Sequence, residues 1–176
     1  MNLISALLLS FLITLILTPL VIRFSYMIGA IDLPNERKVH AKGIPRIGGI
    51  AIIGGFISGA IFLQLFFDTQ FLTIFFGLLI IIVTGFLDDL IELKPSVKLL
   101  GQLLATILVV FIADIRIDYI MLPQELRLEF GVYSYLISIF WILALTNAIN
   151  LIDGLDGLAA GVSIIALAML SSVLPW

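Results

Sequence analysis

The sequence contains no cysteine and a single histidine, His40. No disulfide framework and no thiolate metal site can form, and a zinc site built from several histidines is excluded. Charge is scarce as well. Asp, Glu, Lys and Arg make up 12% of the 176 residues, where a soluble domain carries about 25%. The first apolar stretch has neither a basic segment before it nor a small-residue cleavage site after it, so it reads as a retained span and not as a secretion signal. What the chain does have is hydrophobic residues, 62% of the total, with a mean hydropathy of +1.27. Such a chain is an integral membrane protein. Its net charge of −3 says less than the places where the charges sit.

A helix needs about 20 apolar residues to cross the hydrocarbon core. Uncharged runs occupy residues 3–22, 47–67, 69–87, 99–113, 130–152 and 158–176, the fourth being the shortest. They predict an all-α fold: a polytopic bundle of six transmembrane helices forming one transmembrane domain over residues 1–176. Pro19 is expected to kink the first helix or end it early. Gly48, Gly49, Gly54, Gly55 and Gly59 crowd the second, and glycines at that density let neighbouring backbones approach closely. In the fourth connection, residues 116–121 and 125–130 read as a short β-hairpin.

Orientation follows from the basic residues. The loops at residues 23–46, 88–98 and 153–157 share one side by parity and hold seven of the nine Lys and Arg. The positive-inside rule therefore places them in the cytoplasm and the N-terminus outside. The polar clusters of the chain then share the cytoplasmic face.

Three clusters carry chemistry. Asp88 and Asp89 are adjacent at the end of the third span, followed by Glu92, Lys94 and Lys98. At about 4 Å and an effective dielectric near 20, two such carboxylates repel by on the order of 4 kcal/mol, so a cation or a lysine must relieve them. As a lone pair they also fit a solvated acidic cap with Lys94 or Lys98 as partner. The second cluster is Asn147-x-x-Asn150-x-x-Asp153-x-x-Asp156, interrupted by Gly154 and closed by Gly157. A spacing of three keeps side chains near one helix face, and the glycines allow backbone to approach a ligand. Helix capping is the plainer alternative, but it leaves two acids among apolar residues with no Lys or Arg beyond Arg127. The third is the first cytoplasmic loop, from Asp32-Leu-Pro through Arg37, Lys38, His40 and Lys42 to Pro45-Arg46-Ile-Gly48-Gly49. Its bases can grip phosphates or simply face anionic lipid. Acids, bases and amides on one membrane face suit a divalent cation with phosphate, because Mg²⁺ takes a few carboxylates, retained waters and substrate phosphates.

In order and spacing, these three segments resemble the polyprenyl-phosphate N-acetylhexosamine-1-phosphate transferases of bacterial envelope synthesis, a glycosyltransferase 4-like family. The resemblance implies an Mg²⁺-dependent enzyme (Mn²⁺ being an alternative) of the bacterial cytoplasmic membrane, with its active site on the cytoplasmic face. It implies that undecaprenyl phosphate attacks a UDP-sugar and releases UMP. The first-loop pattern is similar to the UDP-N-acetylglucosamine branch, which starts wall teichoic acid or lipopolysaccharide O-antigen. The phospho-N-acetylmuramoyl-pentapeptide branch is the alternative. By the same resemblance, Asp88, Asp89 and Asp153 are the catalytic acids, with Asp89 and Asp153 next to the metal. Asn150, Gly154, Leu155 and Asp156 line the diphosphate and uridine region, and Lys38, His40, Arg46 and Lys98 contact phosphate or nucleotide. The partners implied are the UDP-sugar, undecaprenyl phosphate and the bilayer, without nucleic acid; a homodimer stays open.

Family members usually have roughly ten or eleven spans. A later Gly-Asp-x-Gly-Ser-like segment, which supplies a further metal ligand, and a basic, His-rich loop have no counterpart up to Trp176. The expectation is an N-terminal portion with little activity alone. From other classes, a small membrane transporter would place its polar residues near span midplanes, not at one rim, and an inactive structural fragment would share the scaffold without the chemistry.

Overall fold

The computed structural model describes residues 2–32, 43–123, 126–153 and 157–173. These are mainly helical, with two short antiparallel ribbons, one of them expected in the fourth connection and the other, at residues 31–32 and 44–45, not expected. They form two compact units, residues 1–113 and 114–176.

The first unit opens with α1, Leu3–Ile28, whose first turn is capped by the Asn2 side chain accepting from the Ile4 N–H. Of the two effects expected of Pro19, an early end does not occur; the helix runs on to Ile28 and stops at Gly29, φ 74°. Thr14 and Thr18 donate their hydroxyls to the carbonyls of Ser10 and Thr14 in the turns around Pro19. Side-chain bonds of this kind help a membrane helix to tolerate proline. Beyond Gly29, β1 (Ile31–Asp32) pairs antiparallel with β2 (Ile44–Pro45).

Next comes α2, Gly49–Phe62. It is shorter than the run at 47–67 suggested, because Gln64 adopts a left-handed conformation (φ 59°) and Leu65–Phe67 form a single 3₁₀ turn. Fourteen residues rise about 21 Å, less than the hydrocarbon thickness of about 30 Å. α3, Thr69–Ile91, starts where the Asp68 carboxylate accepts from the N–H groups of Gln70 and Phe71. α4, Pro95–Ile107, starts four residues before its uncharged run. Proline suits the first helical position, where its missing N–H has no partner to lose. The helix continues as a π-helical turn over Leu108–Ile112, and the Gln70 side-chain amide donates to the Ala113 carbonyl at its end.

Glycines set the helix contacts. A β-carbon at Gly55 would come within 2.6 Å of the Ser10 carbonyl, and at Gly54 or Gly59 it would strike Leu17 or Ser10. At Gly77 it would meet Val109, and at Gly101, Thr84. So α1 packs on α2, and α3 on α4, at backbone distance. Gly48 and Gly49, by contrast, face open space, so the packing role expected of the glycine group holds for Gly54, Gly55 and Gly59 only. A buried cluster of Val21, Ala30, Ile47 and Ala51, flanked by Leu17, Ile50 and Phe86, ties α1, α2 and α3 together.

The second unit begins with the expected hairpin, shorter than predicted: β3 (Tyr119–Met121) against β4 (Arg127–Glu129). A 3₁₀ turn (Gly131–Tyr133) leads into α5, Ser134–Ile152, and α6 covers Leu158–Val173. The ribbon is moored to α5 by two buried hydroxyls: Ser138 accepts from the Ile117 N–H at 2.7 Å, and Ser134 donates to the Ile117 carbonyl at 2.8 Å. Four stretches are long and apolar enough to cross a membrane: Leu3–Ile28, Thr69–Ile91, Pro95–Ile112 and Gly131–Ile152; α2 and α6 are shorter apolar helices. Their outward faces expose Leu, Ile and Phe in quantity, including Phe11, Ile16, Phe140 and Ile164. Water would penalise that surface at about 25 cal/mol per Å²; lipid would not.

Candidate active site

Of the residues predicted from the sequence in the first unit, the described ones, Arg46, Asp88, Asp89 and Lys98, converge where α3 ends. Asp88 and Asp89 lie in its last turn, and the chain then reverses into α4 within three residues. Asp88 holds that reversal. One carboxylate oxygen accepts from the Leu93 N–H at 3.1 Å, and the other meets Lys98 Nζ at 2.8 Å. The early start of α4 puts Lys98 in its first turn, directly opposite. Of the two lysine partners open to Asp88 in the sequence, the structure selects Lys98; Lys94 sits at the N-cap of α4.

Arg46 reaches the same place from the other side. Its N–H donates to the Ala30 carbonyl at 3.0 Å, and the neighbouring Ile47 is plugged into the buried cluster, only 2% exposed. With the backbone fixed, the guanidinium extends to the α3 terminus. Nη1 and Nη2 lie 3.1 and 3.2 Å from one oxygen of Glu92, and Nη1 is 3.5 Å from the Asp89 carbonyl. In the sequence Glu92 belongs to the acidic cluster without standing out as a site residue. It caps α3 in a left-handed conformation, φ 50° and ψ 77°, which costs a residue with a β-carbon on the order of 1–2 kcal/mol. No local sequence signal pairs it with Arg46; the two are brought together by the tertiary fold, with Phe86 of α3 lying against the buried cluster that holds Ile47.

The described residues line two half-open pockets of interest. A half-open pocket of about 180 Å³ between α2 and α3 is lined by Ile47, Ile50, Ile53, Ile81, Ile82, Phe86, Gly49, Gly85 and the carboxylate residue Asp89. A larger one, about 390 Å³, lies in the second unit beside Arg116, Asp118, Tyr119, Arg127, Glu129 and Tyr135. Its cations are already matched: Arg116 with Asp114 and Asp118, Arg127 with Glu129. Both guanidinium groups also cover tyrosine rings. The smaller cavity is the one that touches the predicted chemistry.

The Asn-Asp segment belongs to the second unit. Asn147 and Asn150 ride on the last turns of α5, as their spacing predicted, and Asn147 donates to the Leu143 carbonyl at 2.8 Å. The helix ends at Ile152, before the first glycine, and Asp153 is its exposed C-cap. Gly154, Leu155 and Asp156, like Lys38 and His40, lie outside the described residues. Among the described residues no three metal-ligating side chains cluster. Mg²⁺ does not require such a cage, since one or two carboxylates suffice when phosphates and water complete its shell.

Apolar helices with a charged cluster where two of them meet define a membrane protein built around a polar rim site. The model of glycosyl transferase family 4 matches residues 71–174, and the chain belongs to that family. It is 44% identical, over 94% of its own length and 46% of the relative's, to a Bacillus subtilis protein named probable undecaprenyl-phosphate N-acetylglucosaminyl 1-phosphate transferase. A Salmonella typhi undecaprenyl-phosphate alpha-N-acetylglucosaminyl 1-phosphate transferase is 31% identical over 93% of this chain and 45% of that one. A Borrelia turicatae phospho-N-acetylmuramoyl-pentapeptide-transferase is 32% identical over 76% and 42%. The chain spans about half the length of the curated relatives it matches. No solved structure matches it.

Proposed function

We propose that the protein takes part in transfer of N-acetylglucosamine-1-phosphate from UDP-N-acetylglucosamine to undecaprenyl phosphate, the first membrane step of a cell-envelope polymer. The observation that carries this reading is the meeting of Arg46, Asp88, Asp89 and Lys98 at one helix end, in a chain whose 44%-identical relative bears that name. An oxygen of the lipid phosphate attacks the β-phosphorus of the UDP-sugar. The bond from that phosphorus to the oxygen bridging it to the α-phosphorus breaks, and UMP leaves with the electron pair. One phosphoanhydride replaces another, so catalysis rests on positioning and on neutralising phosphate charge.

In this reading Lys98 supplies positive charge to phosphate, and Asp88 orients it through their 2.8 Å contact. Asp88 need not act as a base, since a phosphate monoester is already largely ionised near neutral pH. Asp89 is the acid that borders the cavity and the one suited to Mg²⁺, which would draw charge from the diphosphate. Asn150, Asp153 and the 154–156 segment would serve the nucleotide and the metal. The membrane face is cytoplasmic, where UDP-sugars are made.

The test is UMP release from undecaprenyl phosphate and UDP-N-acetylglucosamine with Mg²⁺, comparing the native protein with Asp88→Asn and Asp156→Asn. Each is expected to lose about 100-fold in turnover, the scale of one misplaced electrostatic group; near-normal rates in both would remove the site assignment. The relatives named for phospho-N-acetylmuramoyl-pentapeptide transfer support a second reading. Direct competition between the two UDP-sugars decides it.

A further inference from the structure

Glu92 presents a puzzle of placement. Its backbone occupies the left-handed region that glycine fills without strain, and its side chain is 78% exposed. Neither backbone convenience nor burial accounts for a glutamate there. Its visible work is to hold both terminal nitrogens of Arg46, a residue only 26% exposed and fixed by its own backbone.

The form of that hold matters. Both guanidinium nitrogens converge on one carboxylate oxygen, which is not the side-by-side, two-oxygen grip that an arginine makes with its best partners. An exposed ion pair of this kind favours its closed form by no more than about fivefold. A phosphate group offers more charge and several oxygens in the fork geometry that a guanidinium matches. At sufficient concentration a phosphate can displace a carboxylate held so weakly.

We infer that Glu92 is a displaceable stand-in for a substrate phosphate on Arg46, a positioning residue that keeps the guanidinium extended toward the α3 terminus until a diphosphate takes its place. This rests on the proposed phosphate site and adds a partner that the site gives up on binding. Glu92 therefore lowers the affinity for phosphate while preserving the geometry that receives it.

Inorganic pyrophosphate, titrated calorimetrically into the purified chain in detergent without divalent cation, tests this. Glu92→Gln removes the competing charge and is expected to tighten pyrophosphate binding about two- to fivefold. The gain should vanish in an Arg46→Gln background and shrink as salt is raised. Glu92→Gly, which also relieves the backbone but leaves no side chain to hold the guanidinium, should tighten binding less than Glu92→Gln and raise the thermal midpoint, and it keeps the test open if Glu92→Gln folds poorly. Unchanged or weaker binding in both Glu92 variants, with Arg46→Gln still weakening the native chain, overturns the stand-in role and leaves the phosphate site intact. Pyrophosphate binding that ignores Arg46→Gln, or none by the native chain, overturns both. Turnover is not read, so failure of the transferase reading appears separately, in UMP release.

Discussion

The same substitution, glycine to alanine, should have opposite effects at Gly55 and Gly85. At Gly55 the added β-carbon would lie 2.6 Å from the Ser10 carbonyl oxygen and 3.2 Å from Thr14 Cβ, and would overlap the Thr14 hydroxyl. None of these is the loose end of a flexible chain. Ser10 O is backbone, and the Thr14 hydroxyl is tied to it at 2.8 Å. The helices must part, and overpacking of this kind costs about 1–3 kcal/mol. Better helix propensity returns about 0.5–1 kcal/mol, so Gly55→Ala should lose about 1–2 kcal/mol. At Gly85 nothing lies within 4 Å, and only the propensity gain of about 0.5–1 kcal/mol remains. The pair should therefore differ by about 2 kcal/mol. Reversible unfolding of the purified chain in mixed micelles, monitored by far-UV circular dichroism as SDS is raised, measures the difference. Equal shifts at the two positions, or a Gly55→Ala chain as stable as the native one, would refute the close packing of α1 on α2.

Named contacts give three further expected outcomes. Ser138→Ala should strand the Ile117 N–H, costing about 1–3 kcal/mol, and amide exchange at Ile117 should lose its protection while exchange in α1 is unchanged. Lys98→Met should cost about 1–2 kcal/mol in the native chain and markedly less in an Asp88→Asn background; additive losses would show that the two do not act as a pair. Gln64→Gly should stabilise by about 0.5–1 kcal/mol, and Gln64→Val should destabilise by more, because the position is left-handed; thermal midpoints ranking Val above Gly would contradict that backbone.

Apolar runs were enough to locate every helix, because a bilayer-sized stretch without charge has few other uses. Their ends were harder to read. Helix α4 begins before its apolar run since Pro95 suits a first turn, and α2 stops inside its run since Gln64 turns left-handed without being a glycine. The ribbon of the second unit was legible from its alternation, if too long by a few residues. Within the candidate site, the adjacency of Asp88 and Asp89 announced a need for compensation, with Lys94 and Lys98 both open as its source. Arg46 was expected to contact phosphate or nucleotide, but its pairing with Glu92 was not legible: the two are 46 positions apart. Local patterns carry no such information. The spacing of Asn147 and Asn150 marked a helix face, and the helix ends at Ile152, where the uncharged run 130–152 ends and just before Gly154.

The π-helical turn at Leu108–Ile112 makes the length of α4 matter in a second way. Its bonds skip one residue more than an α-helix does, as Ala113 N–H reaching back to Leu108 O shows, so the segment stores a spare residue inside a span. Removing one residue between 108 and 112 would return the chain to ordinary α geometry and leave the bilayer crossing whole. It would also turn the end of the helix about its axis, by less than the about 100° that one α-helical residue contributes, shifting the Ala113 carbonyl relative to Gln70. The spare residue thus acts as an angular setting: the helix needs it to aim its exit, not to span the membrane.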